Sequence, residues 1–169
     1  MSKNVLVTYG TKYGATGEIA EKIGETLKKE GLQADVCSAG KVGDIAKYDA
    51  FVIGSAVYIG MWQKDAVKFV QNNLDLLMKK PVWIFSSGPT GDGDIQTLMA
   101  GWEYPNKLKP AFAQIKPRGN GLFHGAADPE KLNFLYKWTL KNVKAPTGDF
   151  RKWPEIEAWA KAIAAELKK

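Results

Sequence analysis

Asn4-Val-Leu-Val-Thr-Tyr-Gly10-Thr-Lys-Tyr-Gly-Ala-Thr16 is the stretch from which the rest of the chain can be read. Asn4 to Tyr9 is short, apolar and rich in β-branched residues, and Gly10 follows at once, the pattern of a buried strand. Beyond it Ala15, Ile19, Ile23 and Leu27 recur with Glu and Lys between them, which predicts an amphipathic helix stopped by Gly31. A strand running into a helix through a Gly- and Thr-rich turn is the opening of an α/β unit.

The same alternation continues outward. Gln33 to Ser38 reads as a weaker strand, and Tyr48-Asp-Ala-Phe-Val-Ile-Gly-Ser55 as a third. Val67, Val70, Leu74 and Leu77 mark the apolar face of one further helix. Pro81-Val-Trp-Ile-Phe-Ser-Ser87 is a fourth strand, entered through proline where proline is tolerated. A fifth fits Gly121 to Ala126, and Ile156, Trp159, Ile163 and Leu167 form a terminal helix with Pro154 at its first position. The strands are continuously apolar, so both their faces are buried, as in a parallel sheet covered by helices. No repeat, linker or low-complexity tract divides the chain, and one doubly wound α/β domain over residues 1–169 is expected.

The 169 residues are 45% hydrophobic, too apolar for a disordered chain. The uncharged run through Ala50 and Trp62 is broken by Gly54, Ser55 and Gly60, and is shorter than the roughly 20 residues a membrane span needs. The N-terminal apolar run is too short for a signal peptide. One cysteine, Cys37, forms no internal disulfide and no Cys-rich metal site; it is expected to be an inert buried thiol. A cytoplasmic protein follows as the expectation. The formal charge is +6, and it is unevenly placed: 11 basic and 12 acidic residues up to Glu103, then 13 basic and 6 acidic after it. A basic last third is either a solvated lysine surface or a face for something anionic.

Ligands of such sheets bind outside the carboxyl ends of the strands, at a switch point. That singles out Gly10–Thr16, Ala56–Trp62 and Ser86–Asp94, all rich in small or hydroxylated residues. In the first, two threonine hydroxyls, a turn at Gly14 and the N–H groups of a helix start make an anion nest suited to a phosphate monoester; an ordinary βα turn is the bland alternative. It is neither a Walker loop nor a dinucleotide fingerprint, since no Gly-Lys-Ser/Thr and no G-x-G-x-x-G is present.

Tyr9-Gly-Thr11-Lys-Tyr-Gly14-Ala-Thr16, followed by Ala20 and Ile23, resembles the flavodoxin signature, with Thr8 and Ala15 departing from the usual pattern. Flavodoxins are themselves a worked case of the switch-point rule, with FMN there. The resemblance implies a flavodoxin-like three-layer sandwich with five parallel strands in the order 2-1-3-4-5. It also implies FMN held by Thr11, Lys12, Tyr13, Gly14, Ala15 and Thr16 at the phosphate. Ala56, Val57, Tyr58, Ile59, Gly60 and Trp62 would lie on one side of the ring, and Ser86, Ser87, Gly88, Pro89, Gly91 and Asp92 at its far edge. Tyr58 or Trp62 would stack on the ring, core packing being the alternative for Trp62, and Gly60 would let the backbone approach. The third loop has no stacking aromatic, so the sandwich would be one-sided.

Phe123-His-Gly-Ala126, a helical insert near 129–144 and Gly148-Asp-Phe-Arg-Lys-Trp153 resemble the flavodoxin-like proteins related to menaquinone-dependent protoporphyrinogen oxidase, along essentially the whole chain. In the insert Leu132, Leu135, Tyr136, Thr139, Leu140 and Val143 share a face expected to meet the core. Lys137, Lys141 and Lys144 lie opposite, flanked by Phe134 and Trp138, either a solvated face or one that touches anionic membrane.

Other chemistries find little support. Asp92, Asp94, Gln96 and Glu103 mimic a calcium loop, but Thr97 occupies the required glycine. His124 is the only histidine, no G-x-S-x-G elbow accompanies it, and a structural role near the site mouth is expected. A phosphoacceptor receiver needs acids at strand ends that here are Thr8-Tyr9 and Gly54-Ser55. Three readings stay open: an FMN enzyme of the protoporphyrinogen-oxidase type reducing a quinone, a soluble FMN carrier docking to redox proteins, and a basic nucleic-acid-binding module without flavin. The last lacks any recognised motif. Expected partners are a redox protein or a quinone and porphyrinogen substrate, anionic membrane at the insert, and a second copy in a homodimer, with no nucleic acid. No metal ligand set and no catalytic residue is named.

Overall fold

Hydrophobic runs that lack a polar side must be covered on both faces, and they are. The computed structural model describes residues 2–142 and 145–169, and for Tyr136, Thr139 and Leu140 the backbone alone. In chain order the elements are β1 (Asn4–Gly10), α1 (Ala15–Lys29), β2 (Gln33–Ser38), β3 (Ala50–Tyr58), β4 (Met61–Trp62), α2 (Lys64–Asn72), α3 (Leu74–Leu77), β5 (Val82–Ser87), α4 (Ile95–Met99), α5 (Lys109–Ile115), β6 (Gly119–Phe123), β7 (Ala126–Ala127), α6 (Phe134–Asn142), β8 (Gly148–Asp149) and α7 (Trp153–Leu167). Strands β2-β1-β3-β5-β6 lie side by side in that order, all parallel. This is the expected 2-1-3-4-5 order, with β4 counted as a short antiparallel appendage of β3.

Alternation along each strand sorts the core into two layers. Val5, Val7 and Phe85 pack with Ile19, Ile23 and Leu27 of α1 and Ile156 and Ile163 of α7. Leu6, Phe51 and Ile53 pack on the other face with Val70, Leu77, Leu108 and Phe112. Each buried aliphatic or aromatic side chain contributes about 1.5–3 kcal/mol relative to exposure.

Several boundaries differ from the sequence reading. The single helix through Val67 and Leu77 is two, α2 and α3, because Asn73 leaves helical geometry and its side chain donates to the Phe69 carbonyl. The fifth strand runs over Gly119–Phe123, while Ala126 and Ala127 pair with Gly148 and Asp149 in a separate two-stranded ribbon. The crossover from β5 to β6 carries α4 and α5, of five and seven residues, too short to show a periodic apolar face. Cys37 is half-buried, not fully buried.

The insert helix departs most. It starts at Phe134, so Leu132 belongs to the preceding turn, where it is buried. Leu135, expected in the core, is 65% exposed beside Phe134 at 85% and Trp138 at 55%. Lys137 and Lys141 are exposed on the same helix. Val143 and Lys144 lie outside the described residues, as do the side chains of Tyr136, Thr139 and Leu140. Among the described residues no helix is long and apolar enough to cross a membrane.

Candidate functional site

The order of the sheet reverses at β1: its crossover through α1 leads to β2 on one side, while β3 lies on the other. The connections leaving the carboxyl ends of β1 and β3 therefore run to opposite faces of the sheet and leave a crevice between them. Gly14 caps α1 at φ +93°, a left-handed conformation that glycine adopts freely and that costs an L side chain about 1–2 kcal/mol. Its N–H donates to Thr11 Oγ1 at 3.0 Å, closing the turn. Among the described residues no side chain caps the helix, and the N–H groups of its first turn have no partner within it.

Thr16 is buried, and its Oγ1 lies 2.8 Å from Ser87 Oγ, tying this loop to the end of β5. The Lys12 ammonium stands 5.5 Å from the Tyr13 ring and 5.1 Å from the Tyr58 ring. The resulting cleft is narrow, about 40 Å³, and brings together Thr11, Lys12, Tyr13, Ala15, Thr16, Ala56, Val57, Tyr58, Ser87 and Gly88 from the three expected loops. Among the described residues no acidic side chain lines it. Helix N–H groups, hydroxyls and one ammonium, with no carboxylate among them, are a donor set for a phosphate monoester. Tyr58, at the end of β3, brings an aromatic ring to the same cleft, with the Lys12 ammonium over it. The donor chemistry of these residues fits the phosphate of FMN.

Gln63, Gly125 and Ala126 also line the cleft and were not among the expected residues. Gly125 follows the fifth strand as the other three loops follow theirs, so the switch-point argument applied to that strand would have found it. A Cβ on Gly125 would meet the Gly88 backbone at 2.9 Å, so only glycine lets these two loops pack. Gly125 N–H donates to the Pro89 carbonyl and His124 Nε2 lies 2.7 Å from the Gly93 carbonyl. His124 is thus a buried brace for the third loop.

Other expected residues stand apart from the cleft. Trp62 is a correction: its indole is buried, donates Nε1–H to Ser86 Oγ at 2.8 Å and packs edge-on against Phe112, so it has no face to offer a ring. The Ser86 side chain is correspondingly turned into the interior. Ile59 and Gly60 form the exposed tip between β3 and β4, where the Gly60 carbonyl accepts from Trp102 Nε1. Gly91 lies beside Pro146, and Asp92 is exposed. Asp94, read above as a mimic of a calcium ligand, caps α4 by accepting from Thr97 N–H, which together with the Thr97 hydroxyl lowers its pKa. Among the described residues no cluster of His, Cys, Asp and Glu could hold a metal ion.

Parallel strands in this order, with an anion nest after the first of them, define a flavodoxin-type protein. The sequence profile of the flavodoxin domain matches residues 6–152, and the chain belongs to that family of FMN proteins. It is 30% identical to protoporphyrinogen IX dehydrogenase [quinone] of Escherichia coli K12, over 94% of this chain and 93% of that protein. In fold it is similar to a cysteine-to-serine mutant of the flavodoxin from Pseudomonas aeruginosa, with a TM-score of 0.63 at 14% identity over 98% and 99% of the two chains. It is similar also to rubredoxin oxygen:oxidoreductase of Desulfovibrio gigas, TM-score 0.63 at 14% identity, covering 98% of this chain but 36% of that longer one.

Proposed function

We propose that residues 1–169 form one FMN-binding domain whose bound flavin links oxidation of a porphyrinogen to reduction of a quinone. The observation that carries the flavin reading is the acid-free cleft at the carboxyl ends of β1, β3 and β5, lined by Thr11, Lys12, the start of α1 and Tyr58. In this reading Thr11, Gly14 and Thr16 hold the phosphate. Tyr58 lies against one face of the ring, and the Ile59–Gly60 tip and the Gly88–Asp92 loop line its edges. When bound, FMN supplies the hydride and single-electron chemistry, and the chain supplies binding, orientation and exclusion of water.

Support for an enzyme over a soluble carrier comes from the full-length relation to a quinone-linked dehydrogenase and from the insert helix. Exposed Phe134 and Trp138 beside Lys137 and Lys141 make an interfacial face suited to anionic lipid, where a membrane quinone is dissolved.

The test is an anaerobic assay of the FMN-loaded protein with protoporphyrinogen and a menaquinone analogue, followed by porphyrin fluorescence. Porphyrin formation that needs both flavin and quinone supports the enzyme. No porphyrin formation, with rapid electron exchange between the reduced protein and a second redox protein, would establish the carrier.

A further inference from the structure

Arg151, between β8 and α7, is heavily committed for a side chain outside the cleft. Only 9% of its side chain is exposed. Its Nε and Nη2 donate to the two oxygens of Asp149 at 2.9 and 2.8 Å. Its Nη1 donates to Glu18 Oε2 at 2.6 Å and to the Ala15 carbonyl at 3.1 Å, and its guanidinium covers the Trp153 ring at 4.7 Å. Ala15 and Glu18 both lie in the first turn of α1, the turn from which Ala15 and Thr16 line the cleft.

A cation at a helix N-terminus opposes the helix dipole, so the position is not explained by the stability of α1. Glu18 has the opposite property. It favours the helix, but as an uncompensated carboxylate it would repel an anion held at the same turn. Arg151 offsets that charge in part, since its other edge is committed to Asp149 and the three groups together keep one negative charge, and it clamps the turn through the Ala15 carbonyl. Hydrogen bonding to Arg151 holds the Asp149 carboxyl below its ordinary range, and Asp149 with Glu18 keeps the guanidinium above its own against the opposing effect of burial.

We propose that Arg151 is a positioning residue for the phosphate site, offsetting the charge of Glu18 and fixing the first turn of α1 so that the nest accepts a phosphate dianion. This rests on the flavin reading above. The distant β8–α7 junction thereby sets the charge of a loop more than a hundred residues earlier in sequence.

The experiment titrates the apoprotein with FMN and with riboflavin, by quenching of flavin fluorescence. It compares the parent with Arg151→Gln, Arg151→Lys, Glu18→Gln and the Arg151→Gln/Glu18→Gln double variant. Arg151→Gln is expected to weaken FMN by about tenfold, the effect of one uncompensated charge in a partly screened site, and to leave riboflavin unchanged. Adding Glu18→Gln should recover most of the loss, and Arg151→Lys should retain part of the parent's affinity. If Arg151→Gln weakens both flavins alike, or the double variant recovers nothing, Arg151 is only a structural clamp and the proposal falls. If Arg151→Gln does not fold, the Arg151→Lys and Glu18→Gln variants decide it: no difference in FMN-to-riboflavin preference between Arg151→Lys and the parent, with Glu18→Gln no tighter for FMN, overturns it. A parent that binds FMN no better than riboflavin removes the phosphate-loop reading itself, a distinct outcome.

Discussion

The indole of Trp62 turns inward because of a two-residue reversal. Ile59 and Gly60 both have positive φ, 50° and 70°, and this twist closes a tight hairpin in which Trp62 pairs with Val57 and Met61 with Tyr58. Side chains alternate along strands, so Trp62 follows Val57 towards Phe112, while Tyr58 follows Met61 outward. Trp62→Phe should therefore lower stability by about 1–3 kcal/mol, through loss of the Ser86 hydrogen bond, and leave the flavin spectrum unchanged. Tyr58→Leu should shift that spectrum and relieve fluorescence quenching. Denaturant melts and absorption spectra of both variants check this, and the opposite pattern would restore Trp62 as the stacking ring. Ile59 is β-branched, exposed and left-handed, a costly residue for its place. Ile59→Asn, which supplies the preferred Asn-Gly turn, should raise the unfolding free energy by about 1 kcal/mol in the same melts. An unchanged or lower value would mean that the turn carries no strain.

Among the elements, the junction before β3 has its own pH dependence. Burial, and then the hydrogen bond its hydroxyl donates to Asp35 Oδ2 at 2.7 Å, push Tyr48 up to about 12 from an ordinary 10.0. A group raised in the folded state stabilises fully below its unfolded pKa and loses that contribution as pH rises through the folded one. The Tyr48 contribution should therefore be complete below pH 10 and fade towards pH 12. Urea midpoints measured across that window should fall less steeply in Tyr48→Phe than in the parent, and parallel curves would deny the linkage. The insert helix makes a second element-level prediction. Replacing Lys137, Lys141 and Lys144 by glutamine should abolish co-sedimentation with phosphatidylserine vesicles at low salt and leave the bound-flavin spectrum intact, since each lysine near such a surface contributes roughly 1 kcal/mol. Replacing Phe134 and Trp138 by serine should weaken the same binding. A parent that ignores these vesicles returns the helix to a solvated face.

Across the whole molecule, what could be read early was what repeats. β1, β3 and β5 each carry an unbroken apolar run, over residues 5–7, 50–53 and 82–85, and α1 and α7 carry long amphipathic stripes, so the layers and strand order followed from periodicity and the signature resemblance. The turn from Thr11 to Thr16 was legible for a related reason: Thr11, Gly14 and Thr16 are close in sequence, and their geometry is local. What escaped depends on register or on contacts between distant segments. The facing of Trp62 is decided by a two-residue hairpin, the Gly88–Gly125 approach by two loops from different strands, and the Arg151–Glu18 pair by segments 133 residues apart. The exposed Leu135 escaped because periodicity says which residues share a helix face and not whether that face meets the core.

Recognition of a phosphate monoester on a flavin is the role proposed for the turn from Thr11 to Thr16. Calorimetric titration of the apoprotein with FMN and with riboflavin tests it most directly, since the two ligands share the ring and ribityl chain and differ in the phosphate alone. Several charge-assisted hydrogen bonds, each contributing on the order of 1.5–3 kcal/mol, should make FMN at least about a hundredfold tighter. Equal affinities would contradict the account.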